Sequence, residues 1–134
     1  MKQLQELTIM TPNKPGTLAR VLRALGQAKV NIIGIDQSSG YDLNLLRLIT
    51  SDTSKAQRAL EKIGHTVTRS TVLAVTILDR PGQLAKISSI CGKLGININY
   101  IYATAAAGDQ EALVVLHLSD VEKGERAFKL AGLL

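Results

Sequence analysis

The sequence predicts an α+β protein made of two copies of one small unit, and an internal repeat is the first observation behind that prediction. When the 134-residue chain is shifted by 66 positions, NKPGTLARVLRALGQAKVNIIGI at 13–35 aligns with DRPGQLAKISSICGKLGININYI at 79–101. Farther along, RLITSDTSKAQRAL aligns with VLHLSDVEKGERAF at a shift of 68. The second copy therefore carries two extra residues in the loop around Ala105 to Gln110.

The second observation is that both copies show the same succession of strand and helix periodicities. Each copy opens with apolar residues at every other position, which predicts a strand. After Pro-Gly, apolar residues recur at helical spacing. The strand residues are Leu7, Ile9, Leu73, Val75 and Ile77, and the helix residues are Leu18, Val21, Leu22, Leu25, Leu84, Ile87, Cys91 and Leu94. Two β-rich runs follow in each copy, and Ser51-Asp52 or Ser119-Asp120 then begins a second helix.

The last strand is where the two copies differ. In the first copy, HTVTRST adds a fourth strand, so the order is strand-helix-strand-strand-helix-strand, a ferredoxin-like arrangement written twice. The sequence thus predicts antiparallel sheets with helices on one face, and two domains at residues 1–70 and 71–134. Only KLAGLL follows Phe128, so the last strand of the second copy is very short or missing. That leaves a sheet edge which something else must cover.

Each copy places a proline and a glycine where its first strand gives way to its first helix. Proline lacks an amide that would go unpaired in the first helical turn, and glycine leaves room for a small molecule beside the backbone. The free amides of that turn suit a carboxylate, while side-chain oxygens of Asn13 or Asp79 could accept hydrogen bonds from an ammonium group. A free amino acid carries both groups. A capped turn without a ligand would use the same residues, and Asn31 and Asn97 could equally serve as structural turn residues.

Two motifs carry a family resemblance. They are N-x-P-G-x-L at Asn13 to Leu18 and D-x-P-G-x-L at Asp79 to Leu84, followed by G-x-x-x-V-N-I and G-x-x-G-I-N-I. In these motifs the chain resembles the ACT-domain family, small ferredoxin-like modules that bind amino acids and regulate amino-acid metabolism. Both copies match, as in free-standing tandem ACT proteins that have no catalytic domain. The resemblance implies an allosteric, non-catalytic protein that binds its ligand at interfaces between ACT units.

The resemblance assigns ligand contacts to the turn, to its amides and to the asparagine that opens the second strand. These residues are Asn13, Gly16, Thr17, Leu18 and Asn31 in the first copy and Asp79, Gly82, Gln83, Leu84 and Asn97 in the second. Arg80, inside the second turn, is a further candidate. We expect the second copy to bind better, because anionic Asp79 attracts an ammonium group more strongly than neutral Asn13 does. Tyr100 could border an apolar pocket, which favours a branched-chain or aromatic effector; packing at a domain interface is its alternative role.

The third strands point to a further contact. Apolar residues occupy odd and even positions alike in LNLLRLI and ALVVLHL. A sheet covered by helices on one face should alternate, so we expect the other face or an edge to be buried as well, by the sister unit or by a second chain. The sequence therefore predicts a homodimer. It leaves open a regulatory subunit of a separate enzyme, resembling the acetolactate synthase small subunit, which also carries ACT units.

Composition and motifs argue against other classes of function. The net charge is +5, but the basic residues are scattered over predicted helix faces, and only four aromatic residues are available for stacking on bases. We expect no nucleic-acid partner, and an RNA-binding domain is the weakest alternative. His65 and His117 lie far apart, and no CxxC or nucleotide-binding loop occurs, so we expect no enzyme, metal or cofactor. No apolar run is long enough to span a membrane, and the start lacks a signal core, so we expect a cytoplasmic protein.

Overall fold

The computed structural model describes residues 1–105 and 110–133, and its helices and strands follow the predicted order with one correction. The fourth strand predicted at HTVTRST does not form a separate element, because its last residues are the start of one continuous strand, Thr68–Leu78, which also contains the first strand of the second copy. The elements are β1 (Lys2–Pro12), α1 (Thr17–Gln27), β2 (Ile32–Ser39), β3 (Leu43–Thr50), α2 (Thr53–Lys62), β4 (Thr68–Leu78), α3 (Gln83–Lys93), β5 (Ile98–Ala105), β6 (Glu111–Leu118) and α4 (Val121–Leu130). The α+β repeat is confirmed. The two extra residues predicted around Ala105 to Gln110 fall mostly outside the described residues.

The chain divides into two compact units. The first unit is Gln5–Ser70, and the second unit is Thr71–Leu134 together with Met1–Leu4. This division differs from the boundaries expected from the sequence only in Met1–Leu4, which group with the second copy. None of the described helices is long and apolar enough to cross a membrane.

The first unit has an antiparallel sheet in the order β2-β3-β1, and the start of β4, Thr68–Ser70, lies beside β1 as its fourth strand. Leu7 lies opposite Leu48, and Ile9 lies opposite Leu46, so these apolar side chains share one face of the sheet. The buried stripe of α1, Val21 and Leu25, packs on that face together with Ala56 and Leu60 of α2. Burial of this face against two helices is the main source of stability of the unit.

The second unit repeats the arrangement in the order β5-β6-β4. Leu73 lies opposite Leu116 and Val75 opposite Val114, and these residues belong to one buried cluster with Phe128. Cys91 of α3 is a core residue of the same cluster, and burial raises the pKa of its thiol. The helices of both units therefore cover the face that the strand alternation predicted.

The second helix of each unit begins at an aspartate. Asp52 Oδ1 accepts a hydrogen bond from the amide of Lys55 at 3.0 Å, and Asp120 Oδ1 accepts one from Lys123 at 3.0 Å. These bonds satisfy first-turn amides that would otherwise be unpaired. The neighbouring Ser51 and Ser119 instead accept hydrogen bonds from the backbone amides of Asn31 and Asn97.

Met1–Leu4 takes the place of the missing last strand in the second unit. No strand follows α4 in the part of the chain that the structure describes. β3 pairs with β1 only from Leu7 to Pro12, and the neighbour of β1 on its other side is β4. Lys2–Leu4 is the part of β1 that belongs to the second unit, so it occupies the strand position beside β4. Met1 packs against the core, and Gln3 Nε2 donates to Glu125 Oε2 at 2.6 Å. The edge that the sequence left open is therefore covered by the chain's own first residues.

The contact between Gln3 and Glu125 makes a testable prediction about pH. The hydrogen bond from Gln3, followed by the contact with Lys129, lowers the pKa of the Glu125 carboxyl. A carboxyl whose pKa is lower in the folded protein adds stability that is present above its unfolded pKa and is lost as the pH falls through the folded value. We expect Glu125→Gln to be less stable than the parent protein at pH 7, and this difference to shrink as the pH falls through the folded-state pKa of Glu125, measured by urea unfolding. Glu61→Gln is the control, and a Glu125→Gln difference that stayed constant with pH would contradict the prediction.

Candidate functional site

Both strand-to-helix turns end at a position whose backbone conformation only glycine adopts without strain. Gly16 and Gly82 are the residues that precede α1 and α3, with φ of 86° and 88°. This left-handed conformation is strained for residues with a Cβ. A Cβ built at either position meets no atom within 4 Å, so the space beside both glycines is open. The turns are therefore accessible to a small molecule, as the motif predicts.

The first turns of α1 and α3 present backbone amides without partners. Neither helix has a side-chain cap. The amide of Thr17 donates to the carbonyl of Lys14 at 3.3 Å, and that of Gln83 donates to Arg80 at 3.4 Å. The next two amides have no hydrogen-bond partner among the described residues; they belong to Leu18 and Ala19 in α1 and to Leu84 and Ala85 in α3. Unpaired amides at the positive end of a helix dipole form a binding site for an anion.

In the second unit, a cavity of about 170 Å³ adjoins this helix N-terminus. Four predicted site residues line it: Asp79, Arg80, Gln83 and Leu84. Asp79 is exposed, and its carboxylate has no partner among the described residues. Leu84 is 46 % exposed because it faces this cavity and not the core. The turn thus brings together a carboxylate, backbone amides and apolar surface, and neither the carboxylate nor the amides are paired with any residue that the structure describes.

The cavity also contains residues that the sequence analysis did not identify. They are Ile77, Leu78, Ala103, Thr104 and Ala112. Antiparallel pairing explains their presence, because Thr104 lies opposite Leu113 and Ile77 lies opposite Ala112. The end of β5 and the start of β6 therefore lie beside the end of β4. Alternation along each strand could have indicated that these residues line a site only if the pairing register of the strands had been known.

Two predicted residues of the second unit lie elsewhere. Asn97 precedes β5, and its amide donates to Ser119 Oγ at 2.9 Å while its Nδ2 donates to Asn99 Oδ1 at 2.8 Å. Six residues of strand separate it from Ala103, which is about 20 Å at the usual rise per residue. Tyr100 pairs with His117, with stacked ring centroids 4.8 Å apart. Ala103 lies opposite the core residue Val114, so Tyr100, three positions earlier, is on the face of β5 away from the core. Neither Asn97 nor Tyr100 lines the cavity.

In the first unit, Asn13 is already engaged by neighbouring residues. Its Oδ1 accepts a hydrogen bond from Asn44 Nδ2 at 3.2 Å, and its Nδ2 donates to the carbonyl of Tyr41 at 3.5 Å. Asn31 directly precedes β2, as Asn97 precedes β5, and its backbone amide donates to Ser51 Oγ at 3.0 Å. The serines before the second helices thus bind the asparagines that open the second strands.

Similarity to known proteins identifies the repeat. A family model described as an ACT domain pair matches residues 2–130. The chain belongs to the ACT-domain family. No curated protein matches the sequence significantly. The match covers both units and indicates no catalytic family.

Solved structures have the same fold as this ACT pair. A protein of Bacteroides thetaiotaomicron is 28 % identical, with a TM-score of 0.91 over 98 % of this chain and 90 % of that one. The ligand-free regulatory subunit of aspartate kinase from Thermus thermophilus is 20 % identical, with a TM-score of 0.73 over 98 % and 93 % of the two chains. The corresponding subunit from Thermus flavus is 21 % identical, with a TM-score of 0.66 over 97 % and 95 %.

The two ACT units differ in the residues beneath their first helix. In the first ACT unit, Thr11 of β1 lies opposite Asn44 of β3. In the second ACT unit, Ile77 of β4 and Ala112 of β6 occupy the corresponding places. This pair of residues is polar in the first unit and apolar in the second. No group of three or more His, Cys, Asp or Glu side chains that could hold a metal ion occurs among the residues that the structure describes.

Proposed function

We propose that this ACT pair is a non-catalytic regulatory protein that binds a free amino acid in the cleft of its second unit. The observation that carries the proposal is the carboxylate of Asp79, which lines an open cavity next to a helix N-terminus; neither this carboxylate nor the first-turn amides of Leu84 and Ala85 have a partner within the described parts of the chain. The ligand's carboxylate accepts hydrogen bonds from the amides of Leu84 and Ala85. Its ammonium group donates to Asp79, a charge-assisted contact that is stronger than a neutral one.

The lining of the cavity favours an aliphatic side chain. A volume of about 170 Å³ corresponds to about six waters of the liquid, which suits a small amino acid. The apolar walls come from Ile77, Leu84, Ala103 and Ala112, and none of these side chains can hydrogen-bond. Tyr100 lies on the other face of β5, so an aromatic wall does not support a large aromatic effector. A branched-chain amino acid fits this environment best.

A thermal-shift screen of the twenty amino acids tests the function. A ligand present at about 100 times its dissociation constant should raise the free energy of unfolding by about 2.7 kcal/mol. Asp79→Ala should weaken binding of that ligand roughly 10- to 100-fold, because it removes a charged hydrogen-bond partner. Glu61→Ala, which removes an equivalent charge from an exposed position in α2, should bind as the parent protein does. If no amino acid shifted the melting temperature, the proposed function would be wrong.

The exposed edge of the second unit favours a homodimer. β5 lies at the edge of the sheet. Charged residues and proline usually prevent edge strands from pairing with another chain, and the β5 sequence INYIYATA contains neither. Ile101 on this strand is 43 % exposed. We propose that two copies pair antiparallel along β5, which would place the partner's Asn97 beside the far end of the strand, where the cavity lies. Asn97 would then contribute to the partner copy's site and not to its own.

A subunit that regulates a separate enzyme is the second candidate. The observation that favours it is an apolar row on the helix-free face of the first unit, where Met10 is 59 % exposed and Leu43 is 45 % exposed. Such a row suits a protein partner. Co-purification of an enzyme whose activity responds to the same amino acid would favour this candidate, and its absence together with effector binding would favour a stand-alone sensor.

A further inference from the structure

We propose that the groove between α1 and α2 of the first ACT unit is a docking site for an acidic amphipathic helix of a partner protein. The proposal goes beyond effector binding, because it does not depend on any ligand in the cleft of the second unit. It concerns the helix layer, which lies on the other side of the sheet from Met10 and Leu43. It gives both the place where a partner binds and the chemistry of that partner.

The groove between α1 and α2 has a volume of about 360 Å³ and lies within the first unit. Its lining is mostly small or apolar: Ala24, Gln27, Ala28, Ala59, Lys62 and Ile63. Ala28, Ala59 and Ile63 pack partly against the core beneath the helices. Small contact residues let a further helix approach closely, since packed helices lie about 8–10 Å apart according to the side chains between them. The groove therefore suits one additional helix.

The sides of the groove carry positive charge. The helical period places five basic side chains on the groove and solvent sides of the two helices: Arg20, Arg23, Lys55, Arg58 and Lys62. Arg20 Nη2 donates to the carbonyl of Ile63 at 3.4 Å, so it reaches across from α1 to the end of α2. None of the five forms an ion pair with a residue that the structure describes. A helix with carboxylates beside an apolar stripe complements both the charge and the apolar lining.

The helices of this chain, all four of them fully described, do not supply the complementary charge. α1 contains no acidic residue, and the only one in α2 is Glu61. Glu61 follows Ala59 by two positions, a rotation of about 200° around the helix, so it lies away from the groove. α3 has no acidic residue, and α4 has more basic residues than acidic ones. A second copy of the chain is therefore a poor occupant, and a different protein is a better one.

The second unit fills the corresponding place with larger side chains. At the shift of 66, Ala24 and Ala28 correspond to Ile90 and Leu94. Ile90 packs against the core of the second unit, and Lys123 Nζ of α4 donates to the carbonyl of Leu94 at 2.8 Å. Ala24→Ile and Ala28→Leu would thus fill the groove with residues that the same fold accommodates at the same place.

The apolar lining separates a helix from other anionic partners. A nucleic acid would contact the cations, but α1 and α2 offer no aromatic side chain on which a base could stack. A membrane surface takes up protruding apolar side chains, whereas no large apolar side chain of these two fully described helices is exposed. An amphipathic helix that lays its apolar face into a groove uses both the lining and the charge.

The test titrates the full-length protein into a fluorescent amphipathic peptide of about 14 residues, with leucines at helical spacing and glutamates elsewhere. We expect saturable one-to-one binding that weakens as salt is added, and no binding of the same peptide with lysines in place of the glutamates. Ala24→Ile combined with Ala28→Leu should weaken binding about tenfold, because the leucines of the peptide can no longer be buried. Arg23→Glu combined with Lys62→Glu should also weaken it about tenfold, and both of these side chains are exposed.

Lys93→Glu combined with Arg126→Glu is the matched control. It makes the same change in charge at exposed positions on the helices of the second unit, and this variant should bind the peptide as the parent protein does. Absence of binding to the parent would overturn the proposal. Undiminished binding to the groove-filling variant, or tighter binding of duplex DNA or phosphatidylserine vesicles than of the peptide, would overturn it too, because the surface would then attract anions without using the groove. A failed amino-acid screen would remove the proposed function and leave these expectations unchanged.

Discussion

Deletion of Lys2–Leu4 should lower the free energy of unfolding of the second ACT unit by about 2–4 kcal/mol. These residues form the strand beside β4 in that unit, and the loss includes their backbone hydrogen bonds at roughly 1 kcal/mol each. It also displaces Met1 from the core and removes the bond from Gln3 to Glu125. The newly exposed edge of β4 should additionally promote aggregation.

Hydrogen exchange resolved by residue is the measurement that tests this prediction. Amides of the second unit, such as those of β6, should exchange faster in the deletion variant, because local opening costs less there. The core of the first unit, around Leu46 and Leu60, uses only residues from 5 to 70 and should keep its protection. Gln3→Ala removes one side-chain bond and should have a small effect. Equal loss of protection in both units would contradict the assignment of Met1–Leu4 to the second.

Much of the fold could be predicted because its determinants are local. Periodicity placed the strands and helices, and the capping residues Asp52 and Asp120 lie where the sequence predicted a helix start. Gly16 and Gly82 have positive φ angles, which glycine adopts readily, so the glycine of each Pro-Gly motif suits its place in the turn. Met1–Leu4 could not be assigned, because their pairing partner lies about 70 residues away and nothing in their composition indicates it.

The candidate site was predicted in part. Asp79, Arg80, Gln83 and Leu84 are adjacent in sequence and line one cavity, since a single turn positions them. Residues contributed by other strands depend on register, which a sequence pattern leaves open. Asn44 is the clearest case, because only the strand register, which pairs it with Thr11, and its hydrogen bond to Asn13 show that it lies next to the turn.

The largest functional effect is expected from separating Asp79 and Asn97 onto different chains. If each site combines Asp79 of one copy with the partner's Asn97, then Asp79→Ala and Asn97→Ala should each abolish tight binding in homodimers. A heterodimer of the two variants should regain one intact site out of two. Titration of such a heterodimer, purified through two different tags, should give the parent affinity at half the parent stoichiometry.

A second heterodimer makes the experiment decisive. It pairs a parent chain with a chain that carries both substitutions. With sites shared between copies, each of its two sites contains one altered residue, so no tight binding should remain. With sites inside single chains, the parent chain would keep an intact site, and the heterodimer of single variants would have none. The two arrangements therefore predict opposite results for the same pair of samples, and the distance of about 20 Å along β5 between Asn97 and the cavity favours the shared arrangement.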